Sequence, residues 1–198
     1  MRLVLASASP ARLKTLRAAG LDPDVVVSSI DESRLTADTT AELVERLAVA
    51  KAHDVAARAG APALVVGCDS LLELDGLTLG KPGTVDAARE RWRAMRGRTG
   101  TLWTGHCLID TTDGRRAVRR VATAVRFAAI TDAEIDAYCA TGEPTQVAGA
   151  FTIDGLGGWF VERIDGDHHN VVGLSLPALR EMLHELGHTL AAAGYPAN

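Results

Sequence analysis

Residues 67–82, Gly-Cys-Asp-Ser-Leu-Leu-Glu-Leu-Asp-Gly-Leu-Thr-Leu-Gly-Lys-Pro, leave this chain few ways to fold. The apolar run leading into them, Ala63-Leu64-Val65-Val66-Gly67-Cys68, follows Pro62 and contains β-branched residues, so it reads as a buried strand. Asp69 comes next, where a parallel strand delivers its carboxyl end, the edge at which open α/β sheets bind ligands. A hairpin follows over 71–79, with the turn pair Asp75-Gly76 favouring the positive φ angles of a type I′ turn. It brings Lys81, in Gly80-Lys81-Pro82, back to the level of Asp69. An acid and a base are thus folded towards one mouth. Taken alone, such a pair is more often a turn cap and a solvated lysine.

The N-terminal stretch has a similar logic. Residues 2–6 read as a first buried strand, followed by Ser7-Ala8-Ser9-Pro10-Ala11-Arg12. Serine before proline is a strong helix start, since serine caps and proline suits the first helical position. Leu13 and Leu16 give the helix an apolar face and Gly20 ends it. Strand, serine-rich turn and helix N-terminus form an anion seat, and Arg12 in the first turn can fork two hydrogen bonds to a phosphate. A capped helix with a surface arginine is the plain alternative.

Further along, residues 24–29 read as a second β-rich run. Thr39-Thr40-Ala41-Glu42 opens a long helix with Leu43, Leu47 and Ala50 on its apolar side. Lys51 lies late on that helix, where the dipole favours a cation regardless of function. A helix over 84–96 stops at Gly97. Two long strands, 102–109 and 116–130, flank the Thr112-Asp113-Gly114 turn. Their arginines (Arg115, Arg116, Arg119, Arg120 and Arg126) read as a solvated face. Thr131-Asp132-Ala133-Glu134 is a capping box. A glycine-rich stretch, a strand over 159–164 and a last helix over 175–186 complete the chain, with no repeat and no linker.

The 198 residues fit one domain, 1–198, of two closely packed lobes. A hydrophobic fraction of 47% with 23% charged residues is that of a globular protein rather than a disordered one. A net charge of −4 argues against a nucleic-acid polymer as partner but leaves room for an anionic small ligand in a basic pocket. No signal peptide and no membrane-spanning run is expected. Three scattered cysteines, Cys68, Cys107 and Cys139, suit a reduced cytoplasmic compartment better than a disulfide framework.

One motif points elsewhere. His184-Glu185-Leu186-Gly187-His188 matches the HExxH pattern of zinc proteases. Gly187 stops the helix, however, so His188 falls beyond it, and residues 189–198 supply no third ligand. The zinc reading is therefore rejected. Adjacent His168 and His169 read as solvated.

In series, these blocks resemble the Maf family of nucleoside triphosphate pyrophosphatases. Ser7-Ala8-Ser9-Pro10-Ala11-Arg12 is similar to that family's S-A-S-P-R-R. Asp31-Glu32, 47–52, Gly67-Cys68-Asp69-Ser70, Gly80-Lys81-Pro82, Gly97-Arg98-Thr99 and Asn170-Val171-Val172-Gly173 follow in family order. The resemblance implies an α/β fold: a long, mixed, twisted sheet with flanking helices, two lobes around a central cleft, and often a homodimer. It implies hydrolysis of nucleoside triphosphates to the monophosphate and pyrophosphate, with a divalent metal cation, Mg²⁺ or Mn²⁺. Asp69 is then the catalytic proton acceptor. Glu32 and Asp69 are the metal ligands, and Ser7, Ser9, Arg12, Lys51 and Lys81 bind phosphates. The alternative function is a non-catalytic nucleotide-binding regulator of septum formation.

The base is expected to be read by residues 142–155, with Gln146 and Asp154 as candidates. The pyrimidine-triphosphate subgroup resembles D-K-A-G-A-Y-x-I-Q-G there, whereas this chain has Val147 for the lysine and Asp154 for the glutamine. The subgroup linked to 7-methyl-GTP has a tryptophan near the start of the block, and this chain has none.

Overall fold

A computed structural model describes residues 1–60 and 62–196. Strand β1 (Arg2–Leu5) pairs in parallel with β2 (Asp24–Val25) on one side and β3 (Ala63–Leu74) on the other. Helices α1 (Pro10–Ala18) and α2 (Thr40–Ala56) lie in the connections that such parallel pairs require. β4 (Leu77–Leu79) folds back on β3, with Leu74 opposite Leu77. Asp75 and Gly76 both have positive φ, 51° and 77°, as the two-residue I′ turn demands. Beyond α3 (Val85–Met95) come two twelve-residue strands, β5 (Thr99–Asp110) and β6 (Arg116–Phe127). The chain then forms α4 (Asp132–Ala140), β7 (Val161–Asp165), α5 (His168–Val172) and α6 (Leu176–Glu185). The mixed sheet runs β2-β1-β3-β5-β6-β7, with β4 off this path on β3.

Two compact units share this chain. The first comprises Met1–Asp69, Thr104–Val121 and Gly173–Asn198. β1 and the first half of β3 are buried on both faces, which is why they read as continuous apolar runs. Leu3, Leu5, Leu64, Val66 and Cys68 share one core with Leu16 of α1 and Leu179, Met182 and Leu183 of α6. The alternate residues Val4, Ala63 and Val65 share another with Val55 of α2. The second unit comprises Ser70–Trp103 and Ala122–Val172. Its core is built on Trp92, whose ring meets Phe127, Tyr138 and Phe160 edge-on at 5.6–5.7 Å. The Trp92 indole N–H donates to the Ala150 carbonyl at 2.7 Å, so the buried ring leaves no polar atom unpaired.

Several elements differ from their sequence patterns. The second strand covers two residues instead of 24–29, because its partner β1 ends at Leu5. Val25 and Val27 are exposed there. The buried side of α2 is Val44, Leu47, Ala48, Lys51, Ala52 and Val55, a face turned away from Leu43 and Ala50 and placing Lys51 inside. Strand β3 does not stop before Asp69 but continues through it to the hairpin. Trp159 precedes β7 and is 86% exposed. Helix α5 was hidden in the His-His-Asn stretch, which has no helical apolar period. The arginines of β6 are mostly paired rather than merely solvated, Arg119 with Glu185 and Arg120 with Glu45.

Candidate active site

The site begins with a glycine. An ideal Cβ on Gly67 would lie 2.5 Å from the Ala48 carbonyl oxygen and 2.7 Å from the Ala52 nitrogen. Only glycine lets the backbone of α2 lie this close to β3. Lys51 falls between those two contacts on the helix, and Asp69 is two residues from Gly67, on the same face of the strand. Both side chains are buried, with 7% of each residue exposed. The Lys51 ammonium donates to Asp69 Oδ1 and lies 2.9 Å from Glu32 Oε1. Glu32 opens a short 3-10 turn capped by Asp31, whose side chain accepts the Ser33 N–H.

These three groups are a cation held between two carboxylates. Parallel pairing of β3 with β1 ends at Val66, so Asp69 stands three residues past the last parallel pair although its strand continues. That corrects the expectation of a strand end while keeping the acid beyond the carboxyl edge of β1. Cys68 points to the opposite face. Burial pushes its thiol up to about 11, so it stays protonated and offers no nucleophile beside Asp69.

The second half of the site is the turn after β1. Ser9 caps α1, its hydroxyl accepting the Arg12 N–H at 3.4 Å. Ser7 Oγ accepts from the Ser9 N–H at 3.2 Å and from Arg12 Nη1 at 3.0 Å. A hydroxyl whose two lone pairs are occupied has its own proton left to give, which suits an anion. Arg12 is 8% exposed, and its Nε donates to the Gly173 carbonyl at 2.7 Å. The guanidinium is thus oriented by two fixed oxygens. This corrects the plain alternative of a surface arginine.

Ser7, Ser9, Arg12, Glu32, Lys51 and Asp69 all belong to the first unit. Lys81, Gln146 and Asp154 belong to the second, and all three are exposed. Lys81 lies two residues beyond β4. Asp154 is on a loop that Glu143 fastens: its carboxylate accepts the Tyr138 hydroxyl at 2.9 Å, the Thr152 hydroxyl at 2.5 Å, and the N–H groups of Leu156 and Gly157 at 3.0 Å. Burial pushes the Glu143 carboxyl up, but the bonds from Thr152, Leu156, Tyr138 and Gly157 outweigh it and hold it below its usual range.

Gly173 entered the sequence reading only within a family block and Glu143 was given no role, because what they do rests on contacts that no local pattern encodes. The HExxH residues do something else. His184 is exposed, Gly187 turns the chain at a φ of 82°, and His188 lies 2.7 Å from Asp110 Oδ2. Among the described residues, no group of three or more His, Cys, Asp or Glu side chains is placed to hold a metal by itself. Two carboxylates gathered on a single cation nevertheless offer the oxygen donors that Mg²⁺ or Mn²⁺ prefers.

Sheet and site together describe an α/β protein with a buried acid, Asp69, and the buried cations Lys51 and Arg12 near the carboxyl edge of its parallel strands. The chain belongs to the Maf family: the family profile, described as Maf-like protein, matches residues 2–186. A Streptomyces avermitilis protein named nucleoside triphosphate pyrophosphatase is 60% identical over 187 residues, covering 94% of this chain and 91% of its own. A Streptomyces coelicolor protein of the same name is 57% identical, covering 99% of this chain and 96% of its own. A third, from Salinispora tropica, is 59% identical and covers 94% and 84%. Among solved structures, the Staphylococcus aureus Ham1 protein is similar over 65% of this chain and 73% of its own, at a TM-score of 0.44 and 16% identity, a likeness too distant to inform the site.

Proposed function

We propose that this chain is a nucleoside triphosphate pyrophosphatase, in which water adds to the α-phosphorus and pyrophosphate leaves. The observation that carries this reading is the buried Lys51 ammonium between Glu32 and Asp69, in the same unit as the serine-flanked Arg12. Family membership and relatives bearing that name support it.

Asp69 accepts the proton of the attacking water, a step that needs a carboxylate held in place. Arg12 and Lys51 counter the phosphate charge, and Ser7 and Ser9 add neutral hydrogen bonds. Lys81 joins them on the family resemblance alone. Glu32 and Asp69 would hold Mg²⁺ or Mn²⁺. With two carboxylates the site relies on substrate phosphates for further ligands, as Mg²⁺ sites commonly do. When bound, the cation neutralises phosphate charge and steadies the departing pyrophosphate.

A cytoplasmic location and a homodimer belong to the same proposal. No described helix is long and apolar enough to cross a membrane. The three cysteines are buried and unpaired. Sedimentation of the purified protein tests the dimer.

Pyrophosphate release from a panel of nucleotides, with and without Mg²⁺, tests the activity. Asp69→Asn keeps the shape and removes the charge, and turnover is expected to fall about two to four orders of magnitude. Folded Asp69→Asn protein with near wild-type turnover overturns the role. Nucleotide binding without turnover in the wild type supports the regulator instead.

A further inference from the structure

The Arg12 seat has a support that neither helix α1 nor the serine turn supplies. His106 lies on β5 and is fully buried, and its Nε2 accepts the backbone N–H of Ser175 at 2.9 Å. In that bond the ring nitrogen is the acceptor and the backbone N–H the donor. Ser175 is two residues from Gly173, whose carbonyl takes the Arg12 Nε–H. Between them Leu174 is fully buried in the core.

We propose that His106 is a positioning residue for Arg12: it anchors the Gly173–Ser175 turn, and the turn aims the guanidinium at the phosphates. The inference rests on the assignment of Arg12 to phosphate binding. Gly173 has a φ of 119°, where a glycine backbone has little preference of its own, so its carbonyl direction depends on what holds its neighbours. Downstream, the Ser175 hydroxyl is committed to capping α6, where it accepts the Ala178 N–H at 3.2 Å. The Ser175 N–H is satisfied by His106. Without that acceptor a buried donor is left unpaired, and the chain must shift to find one. A shift at Ser175 reaches the Gly173 carbonyl and, through it, the Nε–H of Arg12.

The residue type matters because of reach. In place of His106, a glutamine carbonyl extends about as far as Nε2, whereas an asparagine carbonyl stops near the position of Nδ1. Leucine fills similar space with no acceptor.

The experiment measures calorimetric affinity for inorganic triphosphate with Mg²⁺, which needs no turnover, alongside pyrophosphate-release kinetics on nucleotides. His106→Leu and His106→Asn are expected to weaken triphosphate binding about tenfold and to raise KM in proportion, with kcat within about twofold of wild type. His106→Gln is expected to stay within about threefold of wild type. In an Arg12→Ala background, His106→Asn should add less than about twofold, because the residue acts through the missing guanidinium. Equal losses in the Asn and Gln variants, or an undiminished effect without Arg12, overturn the proposal. If His106→Leu does not fold, the Asn and Gln pair decides the matter. Wild-type protein that binds triphosphate but releases no pyrophosphate overturns the proposed function, while this inference is still read from the affinities. Wild-type protein that binds no triphosphate overturns the seat and this inference with it.

Discussion

The Lys51 ammonium is bonded to Asp69 deep between α2 and β3, and the same nitrogen lies 2.9 Å from the half-exposed carboxylate of Glu32. Two acids therefore share one cation. Removing one partner of a buried ion pair leaves an uncompensated charge, at a cost of about 3–5 kcal/mol. Lys51→Met is expected to lower Tm by roughly 6–20 °C for a chain of this size, whereas exposed Arg17→Met, which breaks only the surface pair with Asp22, should change it by less than about 2 °C. Mg²⁺ should then raise Tm more in Lys51→Met than in wild type, since a divalent cation can take over the neutralising role. Differential scanning calorimetry with and without Mg²⁺ reads both effects. An unchanged Tm in Lys51→Met would show that the pair contributes nothing to folding.

Glu143 gives the second unit a dependence on acid. Its carboxyl is held below its ordinary 4.5 because the bonds from Thr152, Leu156, Tyr138 and Gly157 prevail over burial. The folded state thus binds this proton less readily than the unfolded chain. The resulting stabilisation is complete above pH 4.5 and is lost as pH falls from there through the lowered folded value. Glu143→Gln is expected to destabilise the protein at pH 7 and to remove part of the stability loss that sets in as pH falls below 4.5. Melting curves across that range check it. Parallel acid limbs for wild type and Glu143→Gln would place the acid sensitivity on other carboxylates.

How far the sequence could be read depends on how local each cause is. The I′ turn at Asp75-Gly76, the Ser9-Pro10 helix start and the Thr131 capping box follow from neighbours within four residues, and all three stand as expected. Lys51 shows the limit. Its place late on a helix, where the dipole favours a cation regardless of function, said nothing of burial, yet Gly67 on a strand sixteen residues later removes the Cβ that would keep α2 at a distance. The Arg12 guanidinium is oriented by Gly173, 161 residues away, and nothing beside either residue records that bond. Asp69 was recognisable as an acid past the apolar run, but the continuation of β3 through it was not. Ser70 after it broke the apolar pattern, although the hairpin beyond extends the same strand.

Asp154 is where the choice of base is expected to be made. It stands where the pyrimidine subgroup has glutamine, and it lies on the loop that Glu143 fastens through Thr152, Leu156 and Gly157. A carboxylate can only accept hydrogen bonds, whereas glutamine also donates. An ionised Asp154 therefore favours a base edge rich in donors. Guanine offers N1–H and an amino group and cytosine an amino group, while uracil and thymine offer N3–H flanked by two carbonyl oxygens that repel a carboxylate. GTP is expected to be the best of the four substrates and CTP to exceed UTP and dTTP. Asp154→Asn supplies both a donor and an acceptor, so kcat/KM for UTP and dTTP should rise relative to GTP by about tenfold, the worth of one good hydrogen bond against a mismatched one. The dependence on Mg²⁺ should not move, because Asp154 is not among the residues proposed to hold the phosphates and the cation. Parallel kcat/KM measurements on the four nucleotides decide the case: an unchanged ranking in Asp154→Asn would make this residue a turn former before Gly155 and pass the reading of the base to another group, with Gln146 the next to vary.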